Sequence, residues 1–298
     1  TKVSDVMQTY YQIVEQQQQL KVLDSTLVIS QLRLNLAKNR YTIGKASKLE
    51  VLNAEVDLNT DATNLLRQKE LYANTKTILN ELLARDIALE FTVSEDVFID
   101  KSLLYPELKT LLDNQNPQLQ IQLLNQRIAE LAHKQIKGDR YPVIELTSGY
   151  NFTRSESSLG FISQSTGNGL VYGFNARMNI FNGSLQNRNE KVAKLNIESA
   201  TIAVERQKTQ LESQLLAAFT TYKTNIELSE LEKNNEKIAE QNLDITLEKF
   251  KIGTITTVEF RTAQLNYVNA KFRNNSAKFQ AKLSEIALKE LSGNLDFQ

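Results

Sequence analysis

Chain-breaking residues are so scarce and so unevenly placed in this sequence that long helices are the only regular structure open to most of it. Ten glycines and three prolines serve 298 residues, and six of the ten glycines lie between Tyr141 and Gly183. The intervals 1–43, 45–105, 184–252 and 254–292 contain neither residue type, and their Ala, Leu, Glu, Lys and Gln content favours helix. About 65 residues from 184 to 249 would make a rod on the order of 100 Å long. Such a rod must bury a stripe, and apolar residues do recur at a spacing of seven. Val51, Leu58, Leu65, Tyr72 and Leu79 form one seam, Val258, Leu265, Phe272, Phe279 and Ile286 a second, and Ile197, Val204, Leu211 and Ala218 a third. Sustained heptads mean helix packed on helix.

Gly44 and Gly253 each separate two of these helices within similar surroundings. Arg40-Tyr41-Thr42-Ile43-Gly44 and Lys249-Phe250-Lys251-Ile252-Gly253 share the order cation, aromatic, any residue, isoleucine, glycine. A constant offset of 209 also aligns Ile29 with Ile238, Leu34 with Leu243, Glu50 with Glu259, Ala54 with Ala263 and Leu79 with Leu288. The chain therefore carries an internal repeat centred on two helical-hairpin tips, where glycine permits a left-handed turn. The pattern predicts a first hairpin over 1–85 with its tip near 41–46, and a second over 184–293 with its tip near 250–255. Between them, 86–104 reads as an extended connector with short strands, and 105–140 as a helix that starts near Pro106 and stops at Gly138.

Composition removes several function classes. Thirty-five basic residues balance thirty-five acidic ones, so no electrostatic case exists for nucleic acid. With one histidine and no cysteine, zinc fingers, thiol centres and histidine-rich metal sites are excluded, and no cofactor is implied. His133 reads as a surface residue of a helix, and no catalytic grouping stands out, so an enzyme is not expected. The longest uninterrupted apolar run is the five residues 215–219, far short of the roughly 18 that a membrane-spanning helix needs.

The segment 141–183 follows a different rule. Ile144, Leu146, Ser148, Tyr150 and Phe152 alternate with Val143, Glu145, Thr147, Gly149 and Asn151, and Tyr172, Phe174, Ala176, Met178 and Ile180 alternate with Val171, Gly173, Asn175, Arg177 and Asn179. A period of two means strands, joined by a Ser- and Gly-rich loop over 154–169. Alternation alone fits a soluble hairpin half buried on helices. Strands of about 11 residues, aromatic residues towards their ends and the instability of an isolated strand pair favour a share of a membrane β-barrel completed by other strands. In that arrangement Ile144, Leu146, Tyr150, Phe152, Phe174, Met178 and Ile180 face lipid, and Glu145, Asn151, Asn175, Arg177 and Asn179 line the lumen.

Taken together, these segments resemble the TolC family of outer-membrane efflux proteins. The similarity is carried by 40–44 with the following Leu49-Glu50-Val51-Leu52-Asn53-Ala54-Glu55, its echo at 249–264, Asn116-Pro117-Gln118-Leu119 opening a helix that runs into Tyr141-Pro142, and Phe181-Asn182-Gly183. The resemblance implies a mainly α fold with a membrane β-hairpin: long antiparallel helices form part of a trimeric α-barrel in the periplasm, continuous with an outer-membrane β-barrel. It also implies that the first long helix and first strand pair precede the present Thr1. The function implied is the exit duct of a tripartite efflux pump or a type I secretion system. The duct would be a homotrimer in outer-membrane lipid, working with a periplasmic adaptor protein and an inner-membrane transporter. Tyr41, Gly44, Lys45, Phe250, Gly253 and Thr254 would meet the adaptor. Glu259 matches one position at which family members narrow the tip with an acid, while Thr262 stands where a second acid is expected. The rival expectation is a soluble coiled-coil structural or scaffold protein.

Overall fold

The computed structural model describes residues 2–156 and 164–294. Six helices and two strands follow in the order α1 (Lys2–Thr42), α2 (Lys48–Leu82), α3 (Tyr105–Gln115), α4 (Pro117–Gly138), β1 (Val143–Glu156), β2 (Gln164–Arg177), α5 (Leu185–Ile252) and α6 (Thr257–Ser292). The chain divides into two compact units, one of residues 1–116 and 210–298, the other of 117–209. Among the described residues no helix is long and apolar enough to cross a membrane.

In the first unit α1 packs against both α2 and α6. Leu34 and Ala37 of α1 meet Val51 and Ala54 of α2 near the tip, and Ile13 and Val14 meet Leu79 and the connector residue Val93 at the other end. The first heptad seam is therefore core, with Val51, Leu65 and Leu79 buried. The second is core only at its far end: Ile286 is buried, whereas Val258 and Leu265 are exposed and Phe260 and Ala263 take the inward positions.

The connector 86–104 is extended but holds no strand among these residues. Side-chain anchors fix it instead of a backbone ladder. Lys76 pairs with Glu90 and lies over the Phe91 ring. The Asp100 N–H donates to the buried Glu285 carboxylate at 3.0 Å, and Glu285 also accepts from Lys282 and Lys289. The Tyr222 hydroxyl donates to the Asp100 carbonyl. Burial first, and then the charges of Asp100 and Glu285, push the Tyr222 phenol up to about 12.

The single helix expected over 105–140 is two. Asn116 adopts an extended conformation (ψ 120°) and α4 begins at Pro117, because proline lacks the N–H to continue α3 and disfavours helical geometry in the residue before it. The break is held in place: Asn116 Nδ2 donates to the Leu291 carbonyl at 2.8 Å, and the left-handed Gly293 that caps α6 sits against the backbone of Gln115.

The second unit contains α4, the strands and the start of α5. Gln126 donates to Thr201 at 3.0 Å, and Arg140 donates to both Glu190 and Asn187 at 2.6 Å. His133 is half-buried on α4. The strands run further than the expected loop allows: 154–156 and 164–169 are strand, and the rest of the loop, 157–163, lies outside the described residues. Gly167 and Gly169, which look like loop markers in the sequence, stand in the ladder opposite Thr153 and Asn151, and Gly173 stands opposite Thr147 as the alternation expects. A Cβ on Gly173 would come within 2.9 Å of Thr147 Oγ1.

Candidate functional site

The two tips share the same pair of backbone turn bonds. In the first, Gly44 has φ +74° and the amides of Gly44 and Lys45 donate to the carbonyls of Tyr41 and Arg40 at 3.0 and 2.8 Å. In the second, Gly253 has φ +87° and the amides of Gly253 and Thr254 donate to the carbonyls of Phe250 and Lys249, both at 3.0 Å. Every partner is displaced by 209. The following helices start on equivalent caps, Ser47 accepting from the Glu50 amide and Thr256 from the Glu259 amide. Such caps satisfy amides that a helix start would otherwise leave open.

The equivalent glutamates then diverge. Glu259 closes a capping box on the Thr256 amide and hydroxyl at 2.8 and 2.9 Å, and the backbone bond first, then the hydroxyl, holds its carboxyl below the ordinary range. Glu50 instead accepts from Thr257 of the other tip and lies 3.7 Å from Arg40. A cleft of about 400 Å³ opens between the tips, lined by Arg40, Asn53, Gly253 and Thr256 among others. Tyr41, Lys45 and Thr254 are exposed around it. Phe250 is not: it is buried, stacked on Phe260 with ring centroids 5.0 Å apart. It belongs to the core that seats α1 and offers no surface to a partner, which removes it from the tip contacts expected from the sequence.

Between one and four turns along the helices from the tips lies a polar cluster that the sequence did not announce. Arg261 of α6 donates to both oxygens of Asp61 on α2, at 2.8 and 2.9 Å. Asp61 also accepts from Ser30 of α1, and Ser30 accepts from Gln264 of α6 at 2.9 Å. Arg33, wholly enclosed, pairs with Asp57. Burial works against the Arg261 charge, but the hydrogen bonds and charge of Asp61, then the charge of Asp57, outweigh it and raise its pKa; for Arg33 burial prevails and lowers it. In sequence these residues are isolated charges on long polar helices, and only i, i+4 spacing of Asp57 and Asp61 hints at a shared partner.

In the second unit β1 and β2 pair antiparallel with Ile144 opposite Ala176, Leu146 opposite Phe174 and Tyr150 opposite Leu170. This register puts the apolar set of one strand on the same face as that of the other. The opposite face carries Glu145 across from Asn175, Asn151 across from Gly169, and Arg177 3.4 Å from Glu145. Both faces are exposed, Leu146 to 82% and Phe174 to 68%. Met178, Asn179 and Ile180 lie beyond β2: the rung after Val143–Arg177 would need Pro142, which has no amide to give. Their sides are therefore not assigned by alternation.

Long helical hairpins joined to a strand pair with two solvent-open faces define an outer-membrane channel fold. The Campylobacter jejuni CmeC outer membrane channel superposes with a TM-score of 0.78 over 98% of this chain at 18% identity. The Vibrio cholerae outer membrane protein VceC gives 0.78 over 97% at 14%, and the open state of the Neisseria gonorrhoeae MtrE outer membrane channel 0.70 over 98% at 14%. At such identities the likeness establishes the fold. The chain spans 62%, 69% and 68% of those proteins respectively. No characterised protein matches it significantly in direct sequence comparison. The sequence profile of the outer membrane efflux protein family matches residues 1–85 and 108–294, and the chain belongs to that family. Its place is the outer membrane, with a periplasmic helical part.

Proposed function

We propose that three copies of this chain form the wall of an outer-membrane exit duct, a passive conduit for drugs or other exported substrates. The observation that carries the reading is the strand register, which gathers Ile144, Leu146, Tyr150, Phe152 and Phe174 on one exposed face and Glu145, Asn151, Asn175 and Arg177 on the other. Water does not favour so large an apolar face, whereas lipid does. The polar face lines the lumen, where its groups stay hydrated. A conduit needs no chemistry of its own, and the chain is read as a duct without catalytic activity. Energy and cargo choice come from an inner-membrane transporter of a drug-efflux or type I secretion assembly. A periplasmic adaptor meets the tips through Tyr41, Gly44, Lys45, Gly253 and Thr254, beside the cleft between them. Gating is a relative movement of the hairpins near Gly44 and Gly253; Glu259 narrows the tip in this reading as well as capping α6.

Two measurements test this. The protein should fractionate with the outer membrane and require detergent for release, and in planar bilayers it should give discrete single-channel currents. Recovery in the soluble fraction, without currents, would favour the coiled-coil scaffold.

A further inference from the structure

Where the connector meets α1 and α6, a cavity of about 360 Å³ opens within the first unit, a size that suits a small molecule. Its charged lining is Lys21 of α1 and Lys271 and Lys278 of α6 against Glu95 of the connector and Glu236 of α5, a surplus of one positive charge. Both carboxylates are already engaged. Glu95 accepts from Gln17 at 2.9 Å and from Lys21, and Glu236 accepts from Asn274 and lies 3.2 Å from Lys271. What remains open is donor capacity. Lys278 is half-buried and has no carboxylate partner among the described residues. Asn275 is 7% exposed, and its side-chain amide makes no hydrogen bond among the described residues. The Tyr267 hydroxyl accepts from Lys271 at 3.1 Å, which leaves its own proton free to donate. A buried amide without a partner is destabilising unless something enters to meet it. Nor does the fold require such a lining. At the offset of 209, Glu236, Tyr267, Lys271 and Asn275 correspond to Leu27, Leu58, Ala62 and Leu66 of the first hairpin, where the same helical positions are apolar.

We propose that this cavity binds a small oxyanion, a carboxylate or phosphate group carried by a solute, through the Lys278 ammonium, the Asn275 amide and the Tyr267 hydroxyl. Hydrogen bonds in which one partner is charged are the strong ones, and the surplus of one positive charge matches one anionic group. Glu95 and Glu236 hold Lys21 and Lys271 in place, so the third lysine is the one that meets the ligand. The site shares no residue with the cleft between the tips and does not depend on the duct. Its occupant lies beside Glu95, whose carbonyl accepts from Gln18 at 3.3 Å and whose carboxylate pairs with Lys21. Binding therefore steadies the connector against α1 and α6.

Isothermal titration calorimetry of the intact, detergent-solubilised protein tests this, with inorganic phosphate and, separately, succinate as probes and the ionic strength held constant with sodium chloride. One saturable site per chain is expected, with a dissociation constant of about 1 mM or tighter for at least one probe; the tighter of the two distinguishes a phosphate from a carboxylate ligand. Lys278→Met should weaken binding about tenfold or more. Lys69→Met removes the same charge at the corresponding exposed position of α2 and should leave the affinity within about twofold. Saturable binding of neither probe would overturn the site. Equal weakening by the two methionine variants would reduce the effect to the general charge of the chain and overturn it as well. Should Lys278→Met misfold, Asn275→Leu supplies a second reading, since Leu66 occupies the corresponding position of the first hairpin. It should also lose about tenfold in affinity, and an unchanged affinity would overturn the assignment.

Discussion

Gly253 and Gly293 have nearly the same backbone conformation, φ +87° and +79°, in different surroundings, and alanine at each separates the cost of conformation from the cost of contact. A left-handed alanine costs about 1–2 kcal/mol at either site. The entropy that alanine removes from the unfolded chain, about 0.4–1 kcal/mol, acts in both and cancels in the difference. Around Gly253 an added Cβ meets nothing within 4 Å, whereas at Gly293 it would lie 2.6 Å from the Gln115 carbonyl oxygen and 2.7 Å from its carbon. Both neighbours are backbone atoms and cannot rotate away, so the overlap adds about 1–3 kcal/mol as other overpacked sites do. At about 2 °C per kcal/mol for a chain of this size, Gly293→Ala should melt about 2–6 °C below Gly253→Ala. Thermal melts of the detergent-solubilised protein, followed by far-ultraviolet circular dichroism, measure the gap. Asparagine, which tolerates the left-handed region, should recover stability at 253 but not at 293. Equal melting of the two alanine variants would refute the inference that the end of α6 is seated on the end of α3.

Other outcomes follow from the same geometry. Arg261→Ala should cost about 3–5 kcal/mol by stranding Asp61, and more than Arg261→Met combined with Asp61→Leu, in denaturant titrations. Tyr222→Phe should cost about 1–3 kcal/mol by leaving the Asp100 carbonyl unpaired, and should remove the latest-ionising phenol from an absorbance titration. Because the native Glu259 carboxyl sits below its ordinary value of 4.5, its contribution is present above that pH and is lost as pH falls through the native value. Glu259→Gln should therefore melt lower than the parent at neutral pH and converge with it in acid. Leu146→Arg should cost about 2–4 kcal/mol in the bilayer and impair insertion, while Asn151→Arg should insert and alter only ion selectivity.

The hairpins were legible because Gly44 and Gly253 stand alone in long helix-forming stretches, with the same neighbours and a constant offset. Strand positions were legible from alternation, but strand ends were not: Gly167 and Gly169 read as loop because glycine is normally a turn residue, and only pairing shows that they stand opposite Thr153 and Asn151. Ile180 and Met178 continued the alternation in sequence, yet the ladder stops where Pro142 cannot donate. The Asn116–Pro117 motif marks a helix start in the sequence, but the helical pattern on both sides of it hides that a separate helix ends at Gln115. Phe250 was misplaced because tip position in the sequence does not reveal which way a ring turns. The Arg33, Asp57, Asp61 and Arg261 cluster left almost no trace, because a charge facing another helix is spelled the same way as a charge facing water.

A copy of this chain released alone into the envelope would be an awkward object. Each of its two strands, 14 residues long, pairs with the other on one side and leaves a row of amides and carbonyls open on its far side. Hydrocarbon cannot satisfy them, and water invites them to pair with whatever strand comes next. In the duct proposed above, membrane entry and the meeting of strands that complete the barrel are for that reason one event.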